Sequence, residues 1–136
     1  MASSMKVVSG DYEEVAIDFL MVLALEVDLA LKHGGITDVD QRREIVDYFC
    51  FGMGNFFDQH WFQSGDKKYY PVLCFSEKHL DDEPEELGLP DSFSYHDYAF
   101  GMFDQLTEDG NGSYQIQVGL VGEDEPLDLS DGKEEE

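Results

Sequence analysis

Residues 11–35, DYEEVAIDFLMVLALEVDLALKHGG, decide the fold of this chain. Apolar residues recur there at spacings of three and four, which is the period of an α-helix. Asp11, followed three residues later by Glu14, resembles a capping box and predicts where the helix begins. The Gly34-Gly35 pair predicts where it ends. Because the middle turns are apolar almost all round, we expect this helix to be central in the fold or to contact a second copy.

A second helix is predicted by the same period from Asp38, its expected cap, to about Trp61. Gly52 and Gly54 weaken that prediction, because each glycine costs up to about 1 kcal/mol relative to alanine inside a helix. The two glycines therefore indicate either a kink or the close approach of another backbone.

The middle of the chain is predicted to contain a short strand and a long acidic loop. Residues 63–66 are typical of a turn, and residues 69–75 are β-branched or aromatic. Pro71 has no N–H, so this strand is expected at an edge or after the proline. Residues 78–93 are expected to form an exposed acidic loop with one helical turn at 83–87.

The last third of the chain is predicted to add a helix and a strand. Ser94 is the expected cap of a third helix whose apolar positions end at residue 106. An alternative is a strand at 98–107, followed by a hairpin loop at the Asn-Gly pair in 109–112. Alternating residues at 114–120 predict a half-buried strand with one wet face.

These elements predict an α+β fold, in which a single small domain packs about three helices on a small sheet of two or more strands. We expect a flexible N-terminus at 1–10, the domain at 11–121 and a disordered acidic tail at 122–136. No signal-peptide pattern or membrane-length apolar run is present, so we predict a cytoplasmic protein with its two cysteines as buried free thiols.

Charge is the strongest functional signal in the sequence. The chain has 31 acidic and 8 basic residues in 136, a net charge of −23. Residues 81–136 alone contain 18 acids and one base. Such a field repels nucleic acids and anionic membranes and favours positively charged partners. Acids spaced three or four apart on two helices would imitate a row of phosphates.

The first functional hypothesis is therefore a non-catalytic binding protein, an inhibitor that occupies the basic surface of a nuclease, a toxin or another nucleic-acid-handling protein. Small acidic proteins of this kind include immunity proteins and DNA mimics, and the likeness is one of size and composition only. The residues expected to bind the partner are Asp81, Asp82, Glu83, Glu85, Glu86, Asp91, Asp97, Asp104, Glu108 and Trp61.

Trp61 belongs to an aromatic group near the end of the second helix that includes Phe56, Phe57, Phe62, Tyr69 and Tyr70. The simplest prediction places this group in the core. The alternative places Trp61 and its neighbours at the surface beside Lys67 and Lys68, as in an interaction hot spot.

Two alternatives belong to other functional classes. A small metal- or ligand-dependent enzyme would use Asp58, His60 and His96, although no nucleophile, phosphate-binding or metal-binding motif is present. A structural subunit would form a homodimer through the first helix. The sequence itself predicts neither a cofactor nor a metal.

Overall fold

Two long antiparallel helices form the frame of the molecule. The computed structural model describes residues 5–91, 93–107 and 114–129. In it, α1 (Glu13–His33) and α2 (Val39–Gln59) are joined by the predicted glycine turn. Leu20 of α1 lies beside Cys50 of α2, where the thiol contacts the Leu20 carbonyl at 3.7 Å. Both long helices are thus confirmed.

The helix starts differ from the predicted caps. The residue before α1 is Tyr12, not Asp11, and no side chain caps this end of the helix. Asp38 does precede α2, but its carboxylate makes no capping hydrogen bond. Glutamates in the first turn of α1 instead interact favourably with the helix dipole.

The predicted third helix is two short helices. The second 3₁₀ helix of the described chain, at Tyr95–Tyr98, is followed by α3 at Met102–Leu106; the first 3₁₀ helix is at Leu80–Asp82. Gly101 lies between them with φ of +103°, a conformation that residues with a side chain rarely adopt. Apolar spacing runs through this break, which is why the sequence predicted one helix. The alternative strand at 98–107 is wrong.

Within residues 5–91, 93–107 and 114–129, four short strands form two separate two-stranded sheets. β1 (Lys6–Gly10) pairs in parallel with β4 (Glu86–Pro90), and Phe75 forms a single bridge to Gly88 of β4. β2 (Phe62–Ser64) and β3 (Lys67–Tyr69) form an antiparallel hairpin. The fold is α+β, as the sequence predicted.

Several local predictions are wrong in this part of the chain. Residues 6–10 are a strand and not a flexible terminus, and residues 86–90 are a strand within the predicted loop. The helical turn lies at Leu80–Asp82 and not at 83–87. β1 and β4 are 80 residues apart, so their pairing leaves no local pattern in the sequence.

The other two predicted strands are also wrong. Beyond β3, only Phe75 of residues 70–75 pairs with another backbone, because Pro71 interrupts the extended run. Residues 114–120 form no strand, although Tyr114, Ile116 and Val118 are partly buried against the core and the residues between them are exposed. The alternation of apolar and polar residues here reflects burial of one side of the segment, which does not require a neighbouring strand. The 109–112 segment and the end of the tail lie outside the described residues.

The core lies between α1, α2 and the segment from Tyr95 to Leu106. Its fully buried side chains include Leu20 and Leu25 of α1, Val46 and Cys50 of α2, and Met102 and Leu106 of α3. Cys50 and Cys74 are free thiols, of which Cys50 is buried and Cys74 partly buried. Within the part of the chain that is described, no helix is long and apolar enough to cross a membrane.

Candidate functional site

Three aspartates of the two long helices, Asp28, Asp47 and Asp58, have structural partners inside the fold. Asp28 on α1 is fully buried and accepts hydrogen bonds from Arg42 Nε at 2.8 Å and from the Tyr114 hydroxyl at 2.8 Å. Asp47 on α2 accepts the backbone N–H groups of Gly101 and Phe103. Asp47 thereby caps the start of α3.

Asp58 plays the same part eleven residues further along α2. Its two carboxylate oxygens accept the N–H groups of Tyr95 at 2.9 Å and His96 at 2.8 Å, at the start of the second 3₁₀ helix. Ser94, the predicted cap, makes no capping hydrogen bond, and its hydroxyl donates to Asp58 Oδ2 at 3.4 Å. Because Asp47 and Asp58 are three helical turns apart on α2, they hold the two short helices in line along it.

The residues of the enzyme hypothesis are brought together only in part. His96 Nδ1 lies 2.5 Å from Asp58 Oδ2, and Ser94 Oγ lies 3.3 Å from the same ring nitrogen. His60 is exposed and its ring contacts Phe56 at the end of α2. A serine–histidine–carboxylate relay needs the hydroxyl and the carboxylate on opposite ring nitrogens. Here Ser94 and Asp58 share Nδ1, so these two do not form one relay, and the carboxylate 3.4 Å from Nε2 is that of the exposed Asp97.

Metal-binding geometry is likewise not found in the described part of the chain, where no group of three or more histidine, cysteine, aspartate or glutamate side chains is placed to hold an ion. Burial raises the pKa of the Cys50 thiol to about 12, so Cys50 is not an activated nucleophile. The Asp58 carboxylate contacts the N–H groups of Tyr95 and His96 and the His96 ring.

Most of the predicted binding acids lie near the start of α1. The backbone of β4 joins them to β1, and the Asp91 N–H donates to the Gly10 carbonyl at 3.1 Å, just before α1 begins. Tyr12 and Val15 at the start of α1 line an open cleft of about 500 Å³ together with Glu77, Glu85 and Glu86. Asp81, Asp82 and Glu83 lie between Lys78 and Pro84, which also line this cleft.

The second 3₁₀ helix adds one more predicted acid to this end. The Tyr98 hydroxyl donates to Glu13 Oε2 at 3.1 Å, which holds its neighbour Asp97 close to the start of α1. This hydrogen bond raises the pKa of the Tyr98 hydroxyl. We call this surface the acidic end; all of its carboxylate residues are exposed, and they are Glu13, Glu77, Asp81, Asp82, Glu83, Glu85, Glu86, Asp91 and Asp97.

Asp104 does not belong to the acidic end. It lies on α3, where its carboxylate pairs with Arg43 Nε at 2.9 Å near the start of α2. Arg43 is 15 residues before Asp58 on α2, and Asp58 binds the 3₁₀ helix that carries Asp97 of the acidic end. Asp104, paired with Arg43, therefore lies about 22 Å along α2 from the acidic end. Both arginines of the chain, Arg42 and Arg43, are at this opposite end. Glu108 lies outside the described residues.

Trp61 is at the surface and lies in the β2–β3 hairpin region. Its ring faces Lys68 Nζ at 4.4 Å, and Phe62 and Tyr69 form a cross-strand pair at 6.0 Å. Every residue from His60 to Tyr70 is exposed. The aromatic group is therefore not core, apart from Phe57, which packs partly buried against Phe19 and Tyr95.

Sequence reasoning missed Glu13 and Glu77 as members of the acidic end. Glu13 lies within the predicted first helix, and Glu77 lies between the predicted strand at 69–75 and the predicted loop at 78–93, and neither was singled out. The apolar face of α1, for which the sequence left open a central position or a contact with a second copy, packs against α2 and α3 within the chain. Comparisons with family models, with curated proteins and with solved structures found no match to this chain.

Proposed function

We propose that this chain is a non-catalytic binding protein that inhibits its partner by occupying a basic protein surface with its acidic end. The observation that carries the proposal is the gathering of exposed carboxylates at one end of the helix pair. Nine exposed carboxylates gather at one end, while the arginines that form ion pairs with Asp28, Asp40 and Asp104 are at the other.

The acidic end has the physical properties that such a contact requires. Its carboxylates are exposed and the chain carries a net charge of −23, so a positively charged partner is steered toward it from solution. A duplex or a phosphate-rich membrane is repelled by the same field. The partner is therefore a protein whose own ligand is anionic.

The backbone beneath these carboxylates is well held. β1 pairs with β4 over five residues, and Phe75 exchanges two backbone hydrogen bonds with Gly88 of β4 at 2.8 and 2.6 Å. A binding surface fixed in this way loses less conformational entropy when the partner arrives. The most specific form of the proposal is a cytoplasmic DNA mimic or immunity protein that competes with nucleic acid for a nuclease, toxin or related protein.

The acids lie on a 3₁₀ turn, a strand and the segments around them, and not in rows on two long helices. Competition with nucleic acid would consequently depend on local charge density rather than on a regular phosphate-like spacing. The partner surface that fits best is a compact group of lysines and arginines.

Affinity capture from the native cell tests the class of partner. The intact chain serves as bait, and bound proteins are eluted by increasing salt, since exposed charge pairs are screened within about 10 Å at 0.1 M ionic strength. We expect a basic, nucleic-acid-handling protein that elutes as salt rises and that added DNA or RNA displaces. Captured partners that are acidic, or that salt and nucleic acid leave bound, would contradict the proposal.

A further inference from the structure

The cleft in the acidic end has a partly apolar lining. Tyr12, Val15, Phe75 and Pro84 contribute to it, and its volume is about 500 Å³. Clefts of about 300–1,000 Å³ that combine apolar walls with a few polar groups are the usual form of a binding site. This part of the acidic end therefore differs from the carboxylates around it, because it is concave and offers apolar contacts as well as charge.

The two aromatic rings of the cleft are held from behind. The Tyr12 ring lies against the backbone of Gly88 in β4, where a Cβ atom would overlap the ring. The Phe75 ring packs edge-on against Phe19 of α1, with 5.7 Å between the ring centroids. Rings that are already fixed lose little conformational freedom when another group packs on them.

Charged side chains line the same cleft. Glu77, Glu85 and Glu86 supply three carboxylates and Lys78 supplies one ammonium group, so the lining has a net charge of −2. All four residues are exposed. Lys78 reduces the negative potential of the cleft without reversing it. A cationic group is therefore favoured in the cleft over a neutral or anionic one.

Aromatic rings beside carboxylates suit a guanidinium group. This group is planar, stacks on aromatic faces and binds carboxylates through two parallel hydrogen bonds. Its methylene stem packs on apolar surface such as that of Val15 and Pro84. A lysine ammonium is compact and strongly hydrated, so it gains less from the rings. We propose that the cleft receives the side chain of one arginine of the protein partner.

Under the proposed function, on which this inference rests, the arginine is one that binds a phosphate group when the partner holds nucleic acid. A guanidinium group uses the same N–H groups for a phosphate and for a carboxylate. While its side chain lies in the cleft, that arginine is not available to a phosphate. Occupation of the cleft would thus make binding of this chain and binding of nucleic acid mutually exclusive.

Binding of a blocked arginine tests the cleft without the partner. The probe is Nα-acetyl-arginine methylamide, titrated into the full chain and followed by NMR through the ring signals of Tyr12 and Phe75. We expect a dissociation constant in the millimolar range. The lysine analogue should bind at least about threefold more weakly, because ammonium neither stacks nor binds in bidentate fashion. The citrulline analogue, which resembles arginine in shape but is uncharged, should not shift these signals.

A pair of tyrosines separates stacking in the cleft from attraction to the acidic end as a whole. Tyr12→Leu removes a ring that lines the cleft, and Tyr98→Leu removes a ring of the acidic end that does not. Tyr12→Leu should abolish the preference for the arginine probe over the lysine probe, whereas Tyr98→Leu should keep it. Circular dichroism of both variants verifies that the fold is retained.

Two double variants with equal net charge extend the test to the partner. Glu77→Gln with Glu85→Gln neutralises carboxylates that line the cleft, and Asp81→Asn with Asp82→Asn neutralises carboxylates beside it. The first variant should bind the arginine probe and the captured basic partner at least about tenfold more weakly than the wild type. The second should stay within about threefold, since it loses only screened attraction.

Failure of this inference can be told apart from failure of the proposed function. Equal binding of the arginine and citrulline probes, an unchanged arginine preference in Tyr12→Leu, or equal losses in the two double variants would each overturn the arginine site. The proposed function would survive any of these results if the captured partner is basic and is released by salt. A captured partner that is acidic would overturn both.

Discussion

At the scale of single residues, most of the acids named above fall into either a structural group or an exposed group, and the two groups differ in what their carboxylates contact. Asp28, Asp47 and Asp58 accept hydrogen bonds from buried or partly buried groups, while the carboxylates of the acidic end face water. Residue type alone does not separate the two groups, because both consist of aspartate and glutamate. The distinction depends on which backbone N–H groups or side chains lie opposite each carboxylate, and those come from residues 14 to 86 positions away.

Asp58→Ala tests the capping role. The substitution leaves the N–H groups of Tyr95 and His96 without their acceptor, so the free energy of unfolding should fall by about 1–3 kcal/mol. Urea denaturation followed by circular dichroism measures the change. Asp97→Ala removes an exposed carboxylate beside the same histidine and should stay within about 0.5 kcal/mol of the wild type. Equal losses in the two variants would show that Asp58 is not a cap.

The buried thiol of Cys50 makes the free energy of unfolding depend on pH in alkaline solution. Burial raises the pKa of its thiol from 9.0 to about 12, so between these values the folded chain keeps a proton that the unfolded chain loses. Stability therefore falls as the pH rises above about 9. In Cys50→Ala this contribution is absent, and urea denaturation should show a shallower fall between about pH 9 and about pH 11. Parallel slopes for the wild type and Cys50→Ala would contradict the assignment.

At the scale of elements, α2 organises the fold through one close contact. A Cβ atom at Gly54 would lie 2.7 Å from the backbone nitrogen of His96, so this glycine lets the second 3₁₀ helix pack directly on α2. The sequence left two interpretations of Gly52 and Gly54 open, a kink or a close approach. The structure confirms the close approach at Gly54, and α2 continues to Gln59.

The two glycines of α2 form a matched pair for mutation. Gly54→Ala should lower the free energy of unfolding by about 1–3 kcal/mol, because backbone atoms must shift to admit the methyl group. Gly52→Ala has open space and should raise it by up to about 1 kcal/mol through helix propensity alone. Urea denaturation of both variants gives the comparison. Similar effects at both positions would mean that the contact with His96 contributes little.

Elements with a long local pattern could be predicted from the sequence, and elements made by distant pairing could not. α1 and α2 repeat apolar residues over about six turns, and both were found within a few residues of their bounds. Neither β1 nor β4 has a local pattern that identifies it as a strand, and each is a strand because it pairs with the other. In β4, two prolines and a glycine lie in or beside five residues whose partner strand is near the other end of the chain.

At the scale of the whole molecule, the helix pair sets the distribution of charge. α1 begins, and α2 ends, beside the acidic end, whereas Arg42 and Arg43 lie where α2 begins. Composition predicted an acidic surface but not its position, because antiparallel packing decides which distant acids become neighbours. Asp97 joined the acidic end through the Tyr98–Glu13 hydrogen bond, and Asp104 did not, although only seven residues separate the two.

Two variants with the same net charge test whether binding depends on the position of the carboxylates. One variant neutralises four carboxylates of the acidic end: Asp81→Asn, Asp82→Asn, Glu85→Gln and Glu86→Gln. The matched variant neutralises four exposed carboxylates elsewhere: Glu26→Gln, Glu123→Gln, Asp124→Asn and Glu125→Gln. Both variants carry the same net charge, so long-range attraction is lowered about equally in each.

The measurement is the dissociation constant of each variant for the captured basic partner at physiological salt. If the acidic end is the binding surface, the first variant should bind at least about tenfold more weakly than the wild type, a loss of about 1.4 kcal/mol or more. The matched variant should stay within about threefold, because it loses only screened long-range attraction. Equal weakening of both variants, or unchanged binding by the first, would contradict the account.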